Sequence, residues 1–308
     1  MYRLGLVGYP LEHSLSPMIH GSALRIANIN GDYRLYPVPP SPQGMAELGQ
    51  LISKMRHGKL KGLNITIPYK QAIMEYLDVL TPAAQAIGAV NTLFMSDGKL
   101  VGDNSDAPGF MADLENIYSK KTVGREVSRV LVLGAGGAAR AVVYALGMAG
   151  WEVIIAARRL KQASDLVTHI LHKIPDLKNT QSVPTNASEL NGRFPIRAID
   201  LNELPVFIQQ TDPIHLVVNA TSVGMFPDIY ASPWPEHLEL PASAMVYDLV
   251  YNPEETLFLH RARQQGHLAW SGWGMLVEQA LISFEKWTGI AVPRQLVVQS
   301  LSIEGKPD

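Results

Sequence analysis

Cysteine is missing from this chain of 308 residues. Disulfide bonds, thiolate nucleophiles and cysteine-ligated metal sites are therefore excluded, since each needs a cysteine sulfur. Acidic and basic residues nearly balance, and the net charge of −2 gives no positive excess for binding nucleic acid or an anionic membrane. No apolar run approaches the roughly 20 residues of a transmembrane helix, and Pro10 interrupts the N-terminal segment too early for a signal peptide. These absences predict a cytoplasmic protein without a nucleic-acid or membrane partner.

What the chain does contain is an ordinary globular composition, with 47% hydrophobic and 18% charged residues, and a length typical of two domains. In its first part, short apolar strands alternate with helical segments, which predicts an open α/β sheet. The expected strands are 2–7, 32–38 and 62–67, followed by a hairpin of 87–94 and 99–102 around Asp97-Gly98. The expected helices are 18–27, with Ser16 as N-cap and Pro17 at N1, then 43–57, and one from Pro68 to about Leu77.

Residues 134–139, Gly-Ala-Gly-Gly-Ala-Ala, form the most informative motif, because they stand between a buried strand and a helix expected at 140–148. A G-x-G-x-x-A string in that position is typical of a dinucleotide-binding turn. Gly134 allows the tight turn, Gly136 allows the backbone to approach a pyrophosphate, and Ala139 lets the helix pack closely on the strand. The N–H groups and the positive dipole at the helix start favour phosphate binding. The alternative is a glycine turn with a structural role alone.

The end of the next strand, expected at 152–156, indicates which dinucleotide is bound. An Asp or Glu about 20 residues after the first glycine favours NAD, because its carboxylate binds the ribose 2′-hydroxyl. This chain instead has Arg158 and Arg159 near that point. A guanidinium group offers paired donors to a 2′-phosphate. We therefore predict NADP as the cofactor, and the alternative is a solvated basic strand end.

The rest of the second part repeats the strand–helix alternation and predicts a Rossmann-like doubly wound parallel sheet. The last apolar helix, 275–287, is followed by no strand, and we expect it to pack back on the first domain. The predicted fold is α/β, with an N-terminal open α/β substrate domain of 1–106 plus 275–308, an NADP-binding domain of 107–274, and a cleft between them. The remaining expected elements are strands 130–133, 196–199, 216–219 and 245–248, helices 106–117 and 161–171, a connector at 120–128 and a loop at 175–193.

Polar residues around Lys70 form the best candidate for chemistry in the first domain. Asn64 and Thr66 share one face of their predicted strand, at its carboxyl end, where α/β sheets bind ligands. With Pro68 at N1, Lys70 falls near N3, where the helix dipole should lower the pKa of its amine and suit it to proton transfer. Asp106 offers a carboxylate at the domain boundary. The alternatives are a solvated surface lysine and an aspartate that only caps a helix.

Ser14 and Ser16 stand at the start of the first helix. Hydroxyls in that position can cradle a carboxylate, and the alternative is that they serve only as caps and turns. None of the 9 histidines has the spacing of a metal-binding motif such as H-E-x-x-H, so no metal is predicted.

Taken in order along nearly the whole chain, these and further segments resemble the shikimate dehydrogenase family. The segments are His13–Pro17, Asn64–Lys70, Gly88–Thr92, Gly102–Asp106, Gly134–Arg140, Asn219–Met225, Asp248–Pro253 and Gly272–Gln279. Each alone is moderate evidence, whereas the set in this order is highly specific. The resemblance implies reversible reduction of 3-dehydroshikimate to shikimate with NADPH, in aromatic amino-acid (chorismate) biosynthesis.

The resemblance also implies roles for individual residues. Lys70 would be the acid/base that protonates the new alkoxide, with Asp106 as its partner. The substrate carboxylate would be bound by Ser14 and Ser16, and the ring hydroxyls by Asn64, Thr66, Asn91, Asp106 and Gln279, with Tyr251 close by. The cofactor would be lined by Gly134, Ala135, Gly136, Gly137, Ala138, Ala139, Arg158 and Arg159 and, on its nicotinamide side, by Asn219, Thr221, Ser222, Met225, Leu249 and Gly272.

The chain departs from the family pattern in two places. Where the family often has Asn-Arg-Thr after the second strand, this chain has Ala157-Arg158-Arg159, and the central arginine that favours NADP is kept. An acid that the family frequently carries shortly before Gly88 is Pro82 here, so no role is assigned to that position. In the family, relatives that use quinate often alter the pair Ser14 and Ser16. Both serines are intact here, so the resemblance favours shikimate over quinate. The alternatives are a quinate/shikimate dehydrogenase with relaxed cofactor use and a ligand-sensing relative without turnover, and the expected assembly is a monomer or homodimer.

Overall fold

The computed structural model describes residues 1–119, 129–174, 196–211 and 213–304. The predicted connector at 120–128 and the predicted loop at 175–193 therefore lie outside the described residues. The chain forms two compact units, one made of Met1–Asp113 and Met275–Asp308 and the other of Leu114–Gly274. Each unit is built around its own sheet.

The secondary structure alternates between strands and helices through most of the chain. The strands are β1 (Tyr2–Gly8), β2 (Gly31–Pro37), β3 (Gly62–Ile65), β4 (Val79–Leu80), β5 (Thr92–Ser96), β6 (Lys99–Asp103), β7 (Arg129–Leu133), β8 (Glu152–Ala157), β9 (Ile196–Asp200), β10 (Leu216–Asn219), β11 (Met245–Asp248) and β12 (Ala269–Ser271). The α-helices are α1 (Ser16–Ile26), α2 (Pro42–Arg56), α3 (Pro82–Ile87), α4 (Asp106–Ser119), α5 (Gly137–Met148), α6 (Leu160–Lys173), α7 (Leu204–Gln210), α8 (Leu257–Gln264), α9 (Trp273–Thr288) and α10 (Arg294–Glu304). Within the described ranges, none of these helices is long and apolar enough to cross a membrane.

The first unit contains a mixed sheet in the strand order β2-β1-β3-β5-β6-β4. β1 runs parallel to β2 and β3, whereas β5 runs antiparallel to β3 and β6. Asp97 and Gly98 connect β5 to β6 with φ angles of 49° and 73°. Two successive positive φ angles are typical of a type I′ turn, so the predicted hairpin is confirmed. Leu48 and Met55 of α2 share one apolar core with Leu63 of β3.

The segment that leads to Lys70 differs from its predicted structure. The strand expected over 62–67 ends at Ile65, and Pro68 opens no α-helix. Lys70 lies in a turn ahead of a 3₁₀ helix at Ala72–Tyr76. Its carbonyl accepts the N–H of Val90 at 2.7 Å, so a tertiary hydrogen bond replaces the one that a helix would make. The helix prediction is wrong, and the helix-dipole argument for Lys70 loses its basis.

Residues 82–87, the last of which was expected to begin a strand, form α3. Thr81 accepts the N–H of Ala84 at 3.2 Å as the N-cap, and Pro82 stands in the first turn. Gly88 ends the helix in the left-handed conformation with φ 68°. These are ordinary start and stop signals of a short helix, and β5 therefore begins later than predicted.

The second unit contains a sheet whose strands are all parallel, in the order β12-β11-β10-β7-β8-β9. The order reverses at β7, whose neighbours are β8 and β10, and the predicted doubly wound fold is confirmed. In such sheets ligands bind beyond the carboxyl ends of the strands at the reversal. Leu133 at the end of β7 pairs with Ala156 on one side and with Asn219 on the other. The strand ends that were predicted to bind a dinucleotide therefore lie side by side.

Two glycine substitutions in the first unit should change its stability in opposite directions. A Cβ on Gly62 would lie 2.2 Å from Nε1 of Trp287, whose N–H donates to Leu93 O at 2.9 Å. We expect Gly62→Ala to lower the free energy of unfolding by about 1–3 kcal/mol because the indole must move. A Cβ on Gly49, midway along α2, meets nothing within 4 Å. Gly49→Ala should therefore raise the free energy of unfolding by about 0.5–1 kcal/mol. Denaturant unfolding of both variants checks this, and a neutral Gly62→Ala would contradict the packing of β3 against Trp287.

Candidate active site

Lys70 and Asp106 form an ion pair in the first unit. Lys70 Nζ lies 2.6 Å from Asp106 Oδ2, and the two side chains are 18% and 7% exposed. Asp106 is the first residue of α4, where the partial positive charge of the helix end favours a carboxylate. The helix-capping side chain is Asn104, whose Oδ1 accepts the N–H of Ala107 at 3.3 Å. The carboxylate of Asp106 is therefore available to orient the amine of Lys70, which keeps some contact with solvent.

The amide of Asn91 fixes the orientation of Asp106. Its Nδ2 donates to Asp106 Oδ1 at 2.8 Å and to Ser105 Oγ at 2.9 Å, while its Oδ1 accepts the backbone N–H of Ser105 at 2.8 Å. Because a backbone N–H can only donate, the amide oxygen must face Ser105 and the NH₂ group must face Asp106. This arrangement leaves Oδ2 of Asp106 to accept from Lys70. The side-chain amide of Asn91 therefore makes its hydrogen bonds to other groups of the protein.

A layer of buried hydroxyl and amide groups lies beside this pair. Asn64 Nδ2 donates to Ser283 Oγ at 3.0 Å and to Asn91 O at 3.1 Å, and Asn64 Oδ1 accepts the hydroxyl of Tyr33 at 2.8 Å. Ser283 Oγ also lies 2.8 Å from Thr92 Oγ1. Four members of this layer were not predicted as site residues: Tyr33, Thr92, Ser105 and Ser283. Thr92 and Ser105 lie in segments that carry the family resemblance, which was a usable signal, whereas Tyr33 and Ser283 are single residues far apart in the chain.

Helix α9, which carries Ser283, contributes a second residue to this layer, Gln279. Its Oε1 accepts from Asn91 Nδ2 and from Ser105 Oγ, both at 3.4 Å. Its Nε2 donates to Leu276 O at 3.0 Å, within the same helix. Gln279 is therefore held by its own helix on one side and reaches the Asn91 group with long hydrogen bonds on the other.

The remaining predicted substrate residues stand apart from this cluster. Within the described ranges, no hydrogen bond links Ser14, Ser16 or Thr66 to it. Ser16 is the first residue of α1, and its N–H donates to Ser14 Oγ at 3.3 Å. The N-cap position belongs to Leu15, so the predicted N-cap role of Ser16 is wrong. Tyr251 belongs to the second unit, and burial raises the pKa of its hydroxyl.

The glycine turn of the second unit needs glycine at its first position. Gly134 has a φ of +101°, and a Cβ there would lie 2.7 Å from Thr221 Cγ2. Both the backbone conformation and the available space therefore exclude larger residues. The N–H of Gly134 donates to Ala156 O at 2.8 Å, which holds the turn at the ends of β7 and β8. Ala139 is fully buried, as close packing of α5 on the sheet requires.

Helix α5 begins at Gly137, earlier than the predicted start, because the N–H of Arg140 already donates to Gly136 O at 3.0 Å. Gly136 is the N-cap and no side chain caps the helix. A Cβ on Gly136 would meet nothing within 4 Å, so open space adjoins the uncapped helix end. The N–H groups of a helix start and such a space suit a pyrophosphate. The turn, which includes Ala135 and Ala138, therefore fits the diphosphate of NADP.

Arg158 and Arg159 follow directly on the end of β8, and both are exposed. Since β8 pairs with β7, the two arginines come from the same edge of the sheet as the glycine turn. Gln162 in the first turn of α6 donates from Nε2 to Ala135 O at 3.1 Å and ties the start of this helix to the turn. Both guanidinium groups are therefore exposed at the sheet edge where the adenosine end of NADP is predicted to bind.

Asn219 and Asp248 end the neighbouring strands β10 and β11 and are joined by a hydrogen bond. Asn219 Nδ2 donates to Asp248 Oδ1 at 2.8 Å, and Asn219 Oδ1 accepts the N–H and the hydroxyl of Thr221 at 3.0 and 2.7 Å. Asp248 is fully buried, and burial raises the pKa of its carboxyl to about 6. No role was predicted for Asp248, although an acidic residue at the end of a buried parallel strand is a usable signal.

The other residues predicted to line the nicotinamide lie in the loops that follow β10 and β11 and at the start of α9. Leu249 packs so closely on Gly272 that a Cβ on the glycine would lie 2.2 Å from the leucine carbonyl oxygen. Ser222 and Met225 are exposed in the loop after β10. Gly272 is therefore required by close approach of two backbone segments.

A doubly wound parallel sheet with an uncapped glycine turn at its reversal point defines a Rossmann-type dinucleotide-binding protein, and the other unit adds a lysine–aspartate pair. The chain belongs to the shikimate dehydrogenase family. Residues 6–93 match the model of the shikimate dehydrogenase substrate binding domain, and residues 272–301 match that of the shikimate 5′-dehydrogenase C-terminal domain.

The similarity to known proteins extends over nearly the whole chain. The shikimate dehydrogenase (NADP(+)) of Carboxydothermus hydrogenoformans is 36% identical over 299 residues, which are 97% of this chain and 96% of the relative. That of Shouchella clausii is 38% identical over 289 residues, 93% of each chain. The crystal structure of shikimate 5-dehydrogenase from Thermus thermophilus, in complex with NADP(H) and shikimate, has a TM-score of 0.76 and 33% identity, and covers 98% of this chain and 100% of that one.

Proposed function

We propose that this chain is an NADP-dependent shikimate dehydrogenase, which reversibly reduces 3-dehydroshikimate to shikimate in aromatic amino-acid biosynthesis. The observation that carries the proposal is the ion pair of Lys70 and Asp106, with Nζ and Oδ2 2.6 Å apart and the carboxylate oriented by Asn91. A protein that only binds a ligand has no need of an oriented proton donor. The family membership, the glycine turn and the arginines that follow β8 support the same interpretation.

The proton chemistry follows from the lysine. NADPH, when bound, supplies the hydride that adds to the carbonyl carbon of 3-dehydroshikimate. Lys70 gives a proton from Nζ to the carbonyl oxygen, so that one C–H and one O–H bond form as the C=O π bond is lost. Asp106 holds the amine in place through a contact of 2.6 Å. The partial exposure of Lys70 lets it regain its proton from water.

Substrate binding would fall to the other polar groups of the first unit. Ser14 and Ser16 offer neutral hydroxyls at the start of α1, where the helix dipole favours a carboxylate. Asn64, Thr66, Asn91 and Gln279 would hold the ring hydroxyls, together with Tyr251 of the second unit. Since the amide of Asn91 already donates to Asp106, we infer that much of its contribution comes from orienting the catalytic pair.

The second unit would bind NADP and the first unit would bind the substrate. The diphosphate would lie on Gly134–Ala139, the 2′-phosphate on Arg158 with Arg159 nearby, and the nicotinamide beside Asn219, Thr221, Ser222, Met225, Leu249 and Gly272. The proposed location is the cytoplasm and the proposed assembly is a monomer or homodimer. Light scattering on the purified protein distinguishes the two assemblies.

The reduction of NADP⁺ and of NAD⁺ with shikimate and with quinate, followed by the absorbance of the reduced cofactor, tests the proposal. We expect turnover with shikimate and NADP⁺ to exceed that of the three other combinations. Comparable rates with quinate, or with NAD⁺, would instead identify a quinate/shikimate dehydrogenase with relaxed cofactor use. Absence of turnover in all four, together with tight shikimate binding, would identify a ligand-sensing relative.

A further inference from the structure

We propose that the buried carboxylate of Asp248 positions the loop of residues 219–225, and through it the nicotinamide end of NADP, without touching the cofactor itself. This inference rests on the proposed function, since it concerns how the chain holds NADP. It assigns a role to a residue outside the glycine turn and outside the lysine–aspartate pair.

Asp248 joins three segments of the second unit. Its Oδ1 accepts from Asn219 Nδ2 at 2.8 Å and from the N–H of Val250 at 3.0 Å, and its Oδ2 accepts the hydroxyl of Thr256 at 2.6 Å. The side chain is 0% exposed, and among the described residues no cation lies within ion-pair distance of it. Burial of a carboxylate without a cation is costly. The three neutral hydrogen-bond donors therefore stabilise the charged carboxylate in the place of a cation.

The hydrogen bonds continue from Asp248 into the loop. Because Asp248 accepts from Asn219 Nδ2, the amide oxygen of Asn219 must point the other way, toward Thr221. There it accepts both the N–H and the hydroxyl of Thr221, and the hydroxyl oxygen of Thr221 in turn accepts the N–H of Val223 at 3.1 Å. A flipped Asn219 would face the N–H of Thr221 with an NH₂ group. The carbonyl of Val223, which accepts from the same Nδ2 at 3.2 Å, favours the same orientation of Asn219, so the carboxylate and the loop backbone together set the direction of these hydrogen bonds.

The same carboxylate fixes the two segments that follow it. The N–H of Val250 donates back to Asp248, two residues earlier, and closes a turn around Leu249 just before Tyr251. The hydroxyl of Thr256 donates to Asp248 while its oxygen accepts the N–H of Leu259 at 3.2 Å as the N-cap of α8. Residues predicted for the nicotinamide and for the substrate therefore share one buried anchor.

An amide in place of the carboxylate cannot serve all three donors. Asparagine at position 248 would turn an NH₂ group either toward Thr256 or toward Asn219 and Val250, so at least one donor loses its acceptor. We expect Asp248→Asn to weaken NADP⁺ binding by about 10-fold, the size of one lost hydrogen bond to a charged group. Binding of 2′,5′-ADP should change less than about 2-fold, because that probe carries the adenosine half alone.

Titration calorimetry of NADP⁺ and of 2′,5′-ADP with both proteins measures the two dissociation constants. A selective loss of NADP⁺ affinity supports the proposal. Equal losses for both ligands, or no loss for either, overturn it, since the carboxylate would then support only the general fold or nothing measurable. If the wild-type protein shows no turnover with shikimate and NADP⁺, the proposed function itself fails, whatever the two dissociation constants.

Thr256 provides a second, independent pair of variants should Asp248→Asn fail to fold. Thr256→Ser keeps the hydroxyl that donates to Asp248 and should bind both ligands as the wild type does. Thr256→Val has nearly the same shape but lacks the donor, and it should show the same selective loss of NADP⁺ affinity. Identical behaviour of the serine and valine variants would overturn the proposal.

Discussion

Replacing Lys70 with alanine is expected to lower kcat by about 10²-fold or more, the usual effect of losing a general acid/base. The amine of Lys70, 2.6 Å from Asp106 in the wild type, is the acid/base of the proposed mechanism. Without it, the proton must come from water, which is a weaker acid than a lysine ammonium. Shikimate affinity should change less than kcat, because the groups around Asn91 that we propose to hold the ring hydroxyls keep their mutual hydrogen bonds.

Two further variants separate proton transfer from charge. Lys70→Arg keeps a cation beside Asp106, but a guanidinium does not give up its proton in proteins. It should therefore be nearly as slow as the alanine variant. Lys61→Ala removes an exposed lysine of the same unit and should leave kcat unchanged. Steady-state kinetics with shikimate and NADP⁺ decide the matter, and a large loss of shikimate affinity with kcat intact contradicts the assigned role.

Replacing Arg158 with alanine is expected to weaken NADP⁺ by about 10²-fold and NAD⁺ hardly at all. The estimate assumes the loss of two hydrogen bonds from a guanidinium to a phosphate. Arg158 follows β8 directly and is exposed at the sheet edge that carries the glycine turn, so it can reach a 2′-phosphate but has no comparable partner in NAD⁺. The specificity ratio of NADP⁺ over NAD⁺ should fall by the same factor.

The neighbouring Arg159 gives a matched comparison. It is also exposed but stands one residue later, at the N-cap of α6, and we expect Arg159→Ala to have a smaller effect on NADP⁺ affinity. Lys161→Ala, in the first turn of α6, controls for a general loss of positive charge. Dissociation constants for both cofactors are the measurement. Equal losses of NADP⁺ and NAD⁺ in Arg158→Ala would mean that the guanidinium does not bind the 2′-phosphate.

The elements that the sequence predicts well are those fixed by local chemistry. The apolar strand before Gly134, the glycine turn and the paired arginines after β8 are each contained in a short stretch, and neighbouring residues decide their structure. The doubly wound sheet follows from the repetition of such stretches. The hairpin at Asp97-Gly98 is predictable for the same reason, since two residues determine the turn.

The errors arise where distant residues decide. Pro68 is a good helix start locally, but the Lys70 carbonyl accepts the N–H of Val90, and no α-helix forms there. The hydroxyl layer around Asn64 depends on Ser283, which lies 219 residues away in the chain. Such groupings exist only after the chain has folded, and a single sequence gives no pattern for them.

The discontinuity of the first unit determines the order in which its site can be completed during synthesis. Asn64 and Thr92 leave the ribosome early, but Ser283 belongs to α9 and emerges only after every residue of Leu114–Gly274. Domains generally fold as units when their chain is available, so the second unit can be folded while buried polar groups of the first still lack partners. The first unit, although most of it is synthesised first, is therefore completed last. A chain that stops before α9 cannot assemble the polar layer beside Lys70 and Asp106.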